Sequence, residues 1–139
     1  NCLNCMIAYS SQTYYIKDES SFNLALSSLR SQCREIPVSE IVLSKILTVA
    51  SELGRNIIKY ARFGEMKCEL EHKADCSVFH IAVSDRGPGI EDLEKAMNDQ
   101  FSTGGTLGLG LPGVKRLCYK FSIDSKVGQG TNVKAVVQL

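Results

Sequence analysis

At 139 residues the chain has the length of one domain, enough to bury roughly two-thirds of the surface its unfolded form exposes. Hydrophobic residues at 44% and charged ones at 22% are globular values and exclude a disordered or fibrous chain. Sixteen Lys+Arg against fifteen Asp+Glu leave a net charge of +1, which removes the basic footprint of a general nucleic-acid binder.

No apolar run approaches the ~20 residues that cross a bilayer, and the first residues lack a basic start followed by an apolar stretch. A soluble, cytoplasmic protein with no nucleic-acid or membrane partner is the expectation. Residues 1–12 read as an N-terminal extension ahead of one domain over 13–139. The extension holds a lone C-x-x-C, Cys2-Leu3-Asn4-Cys5, with no second pair at zinc-ribbon spacing and with His72 and His80 far away. It reads as frayed and reduced rather than as a metal or redox site. Six cysteines in all are too few for a disulfide scaffold at this length.

Thr13–Lys17 is β-rich and short, a strand. Phe22, Ala25, Leu26, Leu29 and Cys33 then recur at helical spacing. After Pro37, Ser39 suits the N-cap of a longer helix whose apolar stripe is Val42, Ile46, Val49, Ala50, Leu53 and Ile57, stopped by Gly64. Met66, Cys68 and Leu70 alternate with charged residues. With Val78–Ser84, across a turn at 73–75, they predict a hairpin. Asp85-Arg86-Gly87-Pro88-Gly89 cannot be regular structure. A short helix over Glu91–Met97, a Ser/Thr/Gly loop over Ser102–Gly110 and a helix begun by Pro112 follow. Lys120–Lys126 and Asn132–Leu139, around Val127-Gly128-Gln129-Gly130, predict a second hairpin. The order β-α-α-β-β-α-α-β-β implies a two-layer α/β sandwich with helices on one face of a mixed, largely antiparallel sheet.

Seven of the eleven glycines fall between positions 87 and 113. Loops this rich in glycine let a ligand approach the backbone and often cradle phosphates, although each glycine alone fits a tight turn equally well. Gly108-Leu109-Gly110-Leu111-Pro112-Gly113 matches G-x-G-x-x-G by letter. The segment before it is a loop rather than a strand, and Asp124 comes too early for the acidic partner, so no dinucleotide fold follows. No P-loop motif is present. Glu52 and Asn56, at i and i+4, share one helix face with Arg55 and Lys59. That face is either a solvated surface or a set of oxygens and a cation able to hold Mg²⁺ and a triphosphate.

Four segments together resemble a known family. Ser51–Ala61 (SELGRNIIKYA) is similar to the N box of the Bergerat-type (GHKL) ATPases, among them gyrase, Hsp90, MutL and the histidine kinases. Asp85-Arg86-Gly87-Pro88-Gly89-Ile90 resembles their D-x-G-x-G box, Gly108-Leu109-Gly110-Leu111 their second glycine box, and Gly128-Gln129-Gly130-Thr131 their G-x-G-T. All four stand in the family's order. Glu91–Leu117 is most similar to the small anti-sigma-factor kinases, the stressosome switch kinases in particular, and the likeness runs from about Thr13 to Val136.

The resemblance implies a Bergerat ATP-binding fold, ATP and Mg²⁺ as cofactors, and a role for each matching residue. Asp85 would read the adenine amino group, unless it only caps its own turn. Gly87, Gly89 and Ile90 would line the base, and Thr131 would support its recognition. Asn56 would ligate Mg²⁺. Lys59 and Tyr60 would flank phosphates and base, with Tyr60 equally suited to the core. Ser102, Thr103, Gly104, Gly105, Thr106, Gly108, Leu109, Gly110 and Leu111 would form a short lid over the phosphates, backed by the Pro112 helix. Lys115 and Arg116 would assist it or simply be surface. Glu52 would be the general base. The implied function is an ATP-dependent serine/threonine kinase acting on STAS-domain proteins of a stress-response partner-switching module. A metal-dependent serine phosphatase or a sigma factor would be the further partner. The alternatives are a nucleotide-modulated anti-sigma factor and a phosphatase-activating adaptor without essential kinase activity.

Overall fold

A computed structural model describes residues 11–98 and 109–139; Cys2, Cys5 and the lid residues Ser102, Thr103, Gly104, Gly105, Thr106 and Gly108 lie outside the described residues. The elements run β1 (Gln12–Ile16), α1 (Glu19–Cys33), α2 (Glu40–Asn56), a π-helical turn (Ile57–Ala61), β2 (Gly64–His72), β3 (Ser77–Asp85), α3 (Leu93–Ala96), α4 (Gly110–Leu117), β4 (Lys120–Lys126) and β5 (Gly130–Gln138).

Both long helices begin on side-chain caps. Asp18 Oδ1 accepts the Ser21 N–H at 2.8 Å while Ser21 Oγ accepts the Asp18 N–H at 3.1 Å, a reciprocal box that satisfies two end donors of α1. Hydrogen bonding from the Ser21 backbone N–H, with help from its side chain, also holds the Asp18 carboxyl below its usual range. Ser39 Oγ accepts from Val42 N at 3.1 Å and starts α2, as its position after Pro37 suggests. Helix α1 buries Phe22, Ala25, Leu29 and Cys33, with Leu26 only half covered. Helix α2 buries Leu43, Ile46, Val49, Ala50, Leu53 and Gly54. The expected stripe began one residue earlier, at Val42, which is half-buried. The buried face is broader and rotated because α1 packs along it. At Gly54 the two helices come so close that a Cβ would stand 2.6 Å from the Phe22 ring.

The sheet order is β1-β2-β3-β5-β4, and all four pairings are antiparallel. Its inner face is a continuous apolar surface: Met66 lies opposite Val83, Val83 opposite Val133, and Val133 opposite Ile123. Glu65, Lys67, Glu69 and Lys134 alternate to the exposed side. That single-sided burial is what period-two alternation in an antiparallel sheet produces. Twenty-one buried apolar residues form the core cluster between sheet and helices, and among the described residues no polar or charged side chain is buried with them. Burial pushes the Cys33 thiol up to about 11 and the Cys68 thiol up to about 12, which keeps both protonated and unreactive.

Helix α2 was expected to run to Gly64. It instead widens after Asn56 into the π turn, closed by the Arg62 N–H to the Ile57 carbonyl at 2.9 Å, and ends at Arg62 with φ of 71°. Gly64 already belongs to β2, where it is buried against Ile57. The extra residue per turn lets α2 join β2 without a long loop, and single π turns of this kind are common beside functional sites.

Gly54→Ala should destabilise the fold by about 1–3 kcal/mol, because the buried Phe22 ring has little room to move. Urea unfolding would show the midpoint falling, despite alanine's better helix propensity.

Candidate functional site

Three elements end around one cavity of about 450 Å³. The end of α2 and the π turn contribute Glu52, Asn56, Lys59 and Tyr60. The end of β3 and its loop contribute Val83, Asp85, Gly89 and Ile90, and the start of α4 contributes Leu109, Gly110, Leu111 and Arg116. The floor is Ile123, Thr131 and Val133 from β4 and β5. One wall is therefore polar and the floor apolar, as a bound planar ring with a charged tail requires.

Every candidate site residue within the described part lines this cavity except Gly87 and Lys115. That glycine works from behind: its N–H donates to Asp85 Oδ1 at 2.9 Å, and a Cβ there would lie 2.8 Å from the Ala61 backbone. Tyr60 is not core. It is 48% exposed, and the Lys59 ammonium sits 5.2 Å from its ring centroid, a cation–π contact that places both beside the cavity mouth. Lys115 is exposed and does not line the cavity, whereas Arg116 does.

The loop over 85–90 is pinned to the β4–β5 hairpin by three bonds. Thr131 N donates to Asp85 Oδ1 at 3.2 Å, Gly128 N to the Pro88 carbonyl at 2.8 Å, and Ile90 N to Ser125 Oγ at 2.8 Å. Asp85 does close its own Asx turn through Gly87, yet both of its bonds fall on Oδ1, so Oδ2 is spent on neither. Two glycines permit this approach. A Cβ on Gly130 would lie 2.0 Å from the Asp85 carbonyl oxygen, and one on Gly89 would lie 2.2 Å from that of Lys126. Both have positive φ, 96° and 78°.

Ser125 was not among the sequence candidates, nor were the lining residues Val83, Ile123 and Val133. Ser125 left one legible trace. It follows Phe121 and Ile123 on the inward face of β4, where an apolar residue is the ordinary choice.

Glu52 and Asn56 lie one helical turn apart at the cavity wall. One carboxylate and one amide oxygen suit Mg²⁺, which takes few protein oxygens and completes its shell with water and phosphate. Among the described residues no cluster of three or more His, Cys, Asp or Glu could hold a metal ion on its own. A second cavity of about 410 Å³ runs between α1 and α2, past Leu26, Arg30, Arg34, Ser44 and Thr48. Among the described residues Glu52 is the single one lining both cavities. Among the described residues no helix is long and apolar enough to cross a membrane.

Comparison with known proteins agrees with this geometry. Residues 42–139 match the model of the histidine kinase-, DNA gyrase B- and HSP90-like ATPases. The serine/threonine-protein kinase RsbT of Bacillus subtilis (strain 168) is 42% identical over 107 residues, 77% of this chain and 80% of that protein. Two solved structures share the fold at low identity. The RsbU and RsbW domains of a Mycobacterium tuberculosis protein superpose with a TM-score of 0.67 at 15% identity, over 94% of this chain and 33% of that one. This chain thus spans about a third of that protein's solved length. A chain of the SiaB–SiaC complex from Pseudomonas aeruginosa gives 0.66 at 13% identity, over 91% of this chain and 89% of that one.

The pinned loop separates the two glycines of the β4–β5 turn. Gly130→Ala should cost about 1–3 kcal/mol from backbone strain, plus whatever the displaced Asp85 backbone adds. Gly128→Ala, with φ of 78° but nothing within 4 Å of its Cβ, should cost only about 1 kcal/mol. Denaturant midpoints that rank the two the other way would contradict the close approach.

Proposed function

The chain belongs to the histidine kinase-, DNA gyrase B- and HSP90-like ATPases, and within that family we propose that it is an ATP-dependent protein serine/threonine kinase. The observation that carries this reading is the place of Glu52. It lines the nucleotide-sized cavity on one side and the groove between α1 and α2 on the other. A carboxylate in that position can meet both a terminal phosphate and a hydroxyl brought by another protein. A module that only sequestered a partner would have no use for it.

In this reading the adenine ring lies over Val83, Ile123 and Val133, with its amino group toward Asp85. Oδ1 of Asp85 is already bound to Gly87 and Thr131, which fixes the carboxylate and turns Oδ2 to the base. The phosphates run toward α4, whose N-terminal residue Leu109 offers no side-chain cap to the first backbone N–H groups, and toward Lys59. The lid residues Ser102, Thr103, Gly104, Gly105, Thr106 and Gly108 would complete that end. Asn56 would hold Mg²⁺, which when bound would neutralise charge on the phosphates. Glu52 takes the proton of the incoming serine or threonine hydroxyl. The hydroxyl oxygen bonds to the γ-phosphorus, the bond to the β–γ bridging oxygen breaks, and ADP leaves.

The substrates we infer are STAS-domain proteins. The four boxes and the similarity to RsbT support a partner-switching module, with a metal-dependent phosphatase or a sigma factor as the downstream partner and the cytoplasm as its place.

Two experiments test this reading. Asp85→Asn places an amide where only an acceptor serves the adenine amino group, so ATP affinity by calorimetry should fall by roughly tenfold or more. Unchanged affinity would remove Asp85 from the base site. Glu52→Gln should bind Mg·ATP nearly normally yet transfer labelled phosphate to a STAS-domain protein about 10²–10⁴ times more slowly. Asn56→Ala should lose transfer through the metal. A parent chain that transfers no phosphate to any candidate would favour the adaptor reading instead.

A further inference from the structure

The hydroxyl of Ser125 lies behind the cavity wall, where three contacts meet. It accepts the Ile90 N–H at 2.8 Å, donates to the Gly130 carbonyl at 3.1 Å and stands 2.8 Å from Thr131 Oγ1. A serine hydroxyl has one proton and two lone pairs to distribute. The Gly130 carbonyl can only accept, so the proton goes there. The Ile90 N–H takes one lone pair. With all three contacts made at once, the contact with Thr131 uses the second lone pair, and the proton in that bond belongs to Thr131.

This count has a consequence for the cavity, which Thr131 lines and Ser125 does not. With its proton turned back to Ser125, Thr131 Oγ1 offers the cavity lone pairs alone. The Asp85 carboxylate beside it is likewise an acceptor. We propose that Ser125 is a specificity-determining positioning residue: by fixing the direction of the Thr131 hydroxyl, it makes the base end of the cavity accept only. Such a wall takes a purine with an amino group at position 6 and rejects one with a carbonyl oxygen there, whose lone pairs would face lone pairs without a proton between them. The register supports the arrangement, since Ser125 and Thr131 are direct cross-strand partners on the inward face of β4 and β5. The inference rests on the nucleotide reading above and adds to it the group that chooses the base.

The test compares ATP with ITP, which carries a carbonyl oxygen in place of the 6-amino group and a proton on the neighbouring N1; the readout is the change in their ratio between variants, in which the N1 difference is constant. Affinities are measured by calorimetry for the parent and for Ser125→Ala, with thermal unfolding to confirm the folded state. The parent should prefer ATP. In Ser125→Ala the Thr131 proton is free to turn into the cavity, and the ATP:ITP preference should fall roughly tenfold, the scale of one hydrogen bond. Ser125→Thr keeps the hydroxyl and should keep the preference. On a Thr131→Val background, Ser125→Ala should change the ratio no further, because the group it acts through is gone. If Ser125→Ala does not fold, Ser125→Cys, with a far weaker donor and acceptor, carries the same comparison. An ATP:ITP ratio that stays at the parent value, or an equal further fall on the Thr131→Val background, would overturn the inference while leaving ATP binding intact. A parent chain that binds neither nucleotide would overturn the nucleotide reading itself.

Discussion

The close passage of β5 beside the end of β3 is the constraint from which the site follows. Gly130 lies so near the Asp85 carbonyl that no side chain fits between them, and the next residue, Thr131, both pairs with Asp85 in the sheet and donates to its carboxylate. The loop over 85–90 has no ladder of its own. Its shape comes from bonds to Ser125, Gly128 and Thr131, all on the hairpin that follows 35 or more positions later. The end of the cavity at Asp85 is thus made by sheet register. A slip of one residue between β3 and β5 would turn Thr131 to the solvent face and unmake the site along with the core.

Helix α2 carries the other half, and its two faces obey different demands. One face is pressed into the core through Ile46, Val49, Ala50 and Leu53, closely enough at Gly54 to exclude a methyl group. The other presents Glu52 and Asn56 to the cavity. The π turn that follows brings Lys59 and Tyr60 to the mouth, at the cost of a left-handed Arg62. A regular α-helix through residue 61 would rotate those two side chains by the angle of the extra residue. The strain at Arg62 is held by the packing of α2 behind it.

Much of this was legible in the sequence, for identifiable reasons. Helix caps at Ser39, alternation in β2 and β3, and glycines at tight turns are local signals, each set by one residue's own chemistry. The four boxes named Asp85, Asn56 and Glu52 because a ligand demands particular atoms at particular spacing. What escaped was pairwise. Gly54 matters only because Phe22 approaches it from another helix, and the π turn exists only because β2 must begin at Gly64. Ser125 reads as an ordinary strand residue until Ile90, Gly130 and Thr131 close around it. Tyr60 fitted the core by periodicity, and the change of helical pitch at Asn56 moved it out.

The two halves of the cavity belong to different elements, and this separates recognition from chemistry. In the proposed reading base recognition would depend on β3, β4 and β5, whose atoms are linked by backbone bonds and by the half-buried hydroxyls of Ser125 and Thr131. The carboxylate proposed to meet the incoming hydroxyl, Glu52, stands on α2, which packs on those strands through its apolar face. Apolar contacts resist compression but carry no directional bond that would tie a proton on Glu52 to the orientation of Asp85 or Thr131. Changes at the clamp should therefore act on which nucleotide is held and how tightly. Changes on the polar face of α2 should act on what happens to its terminal phosphate. Among the described residues Glu52 alone lines both the cavity and the groove between α1 and α2, so in the proposed reading a protein entering that groove would meet the chemistry without touching the base.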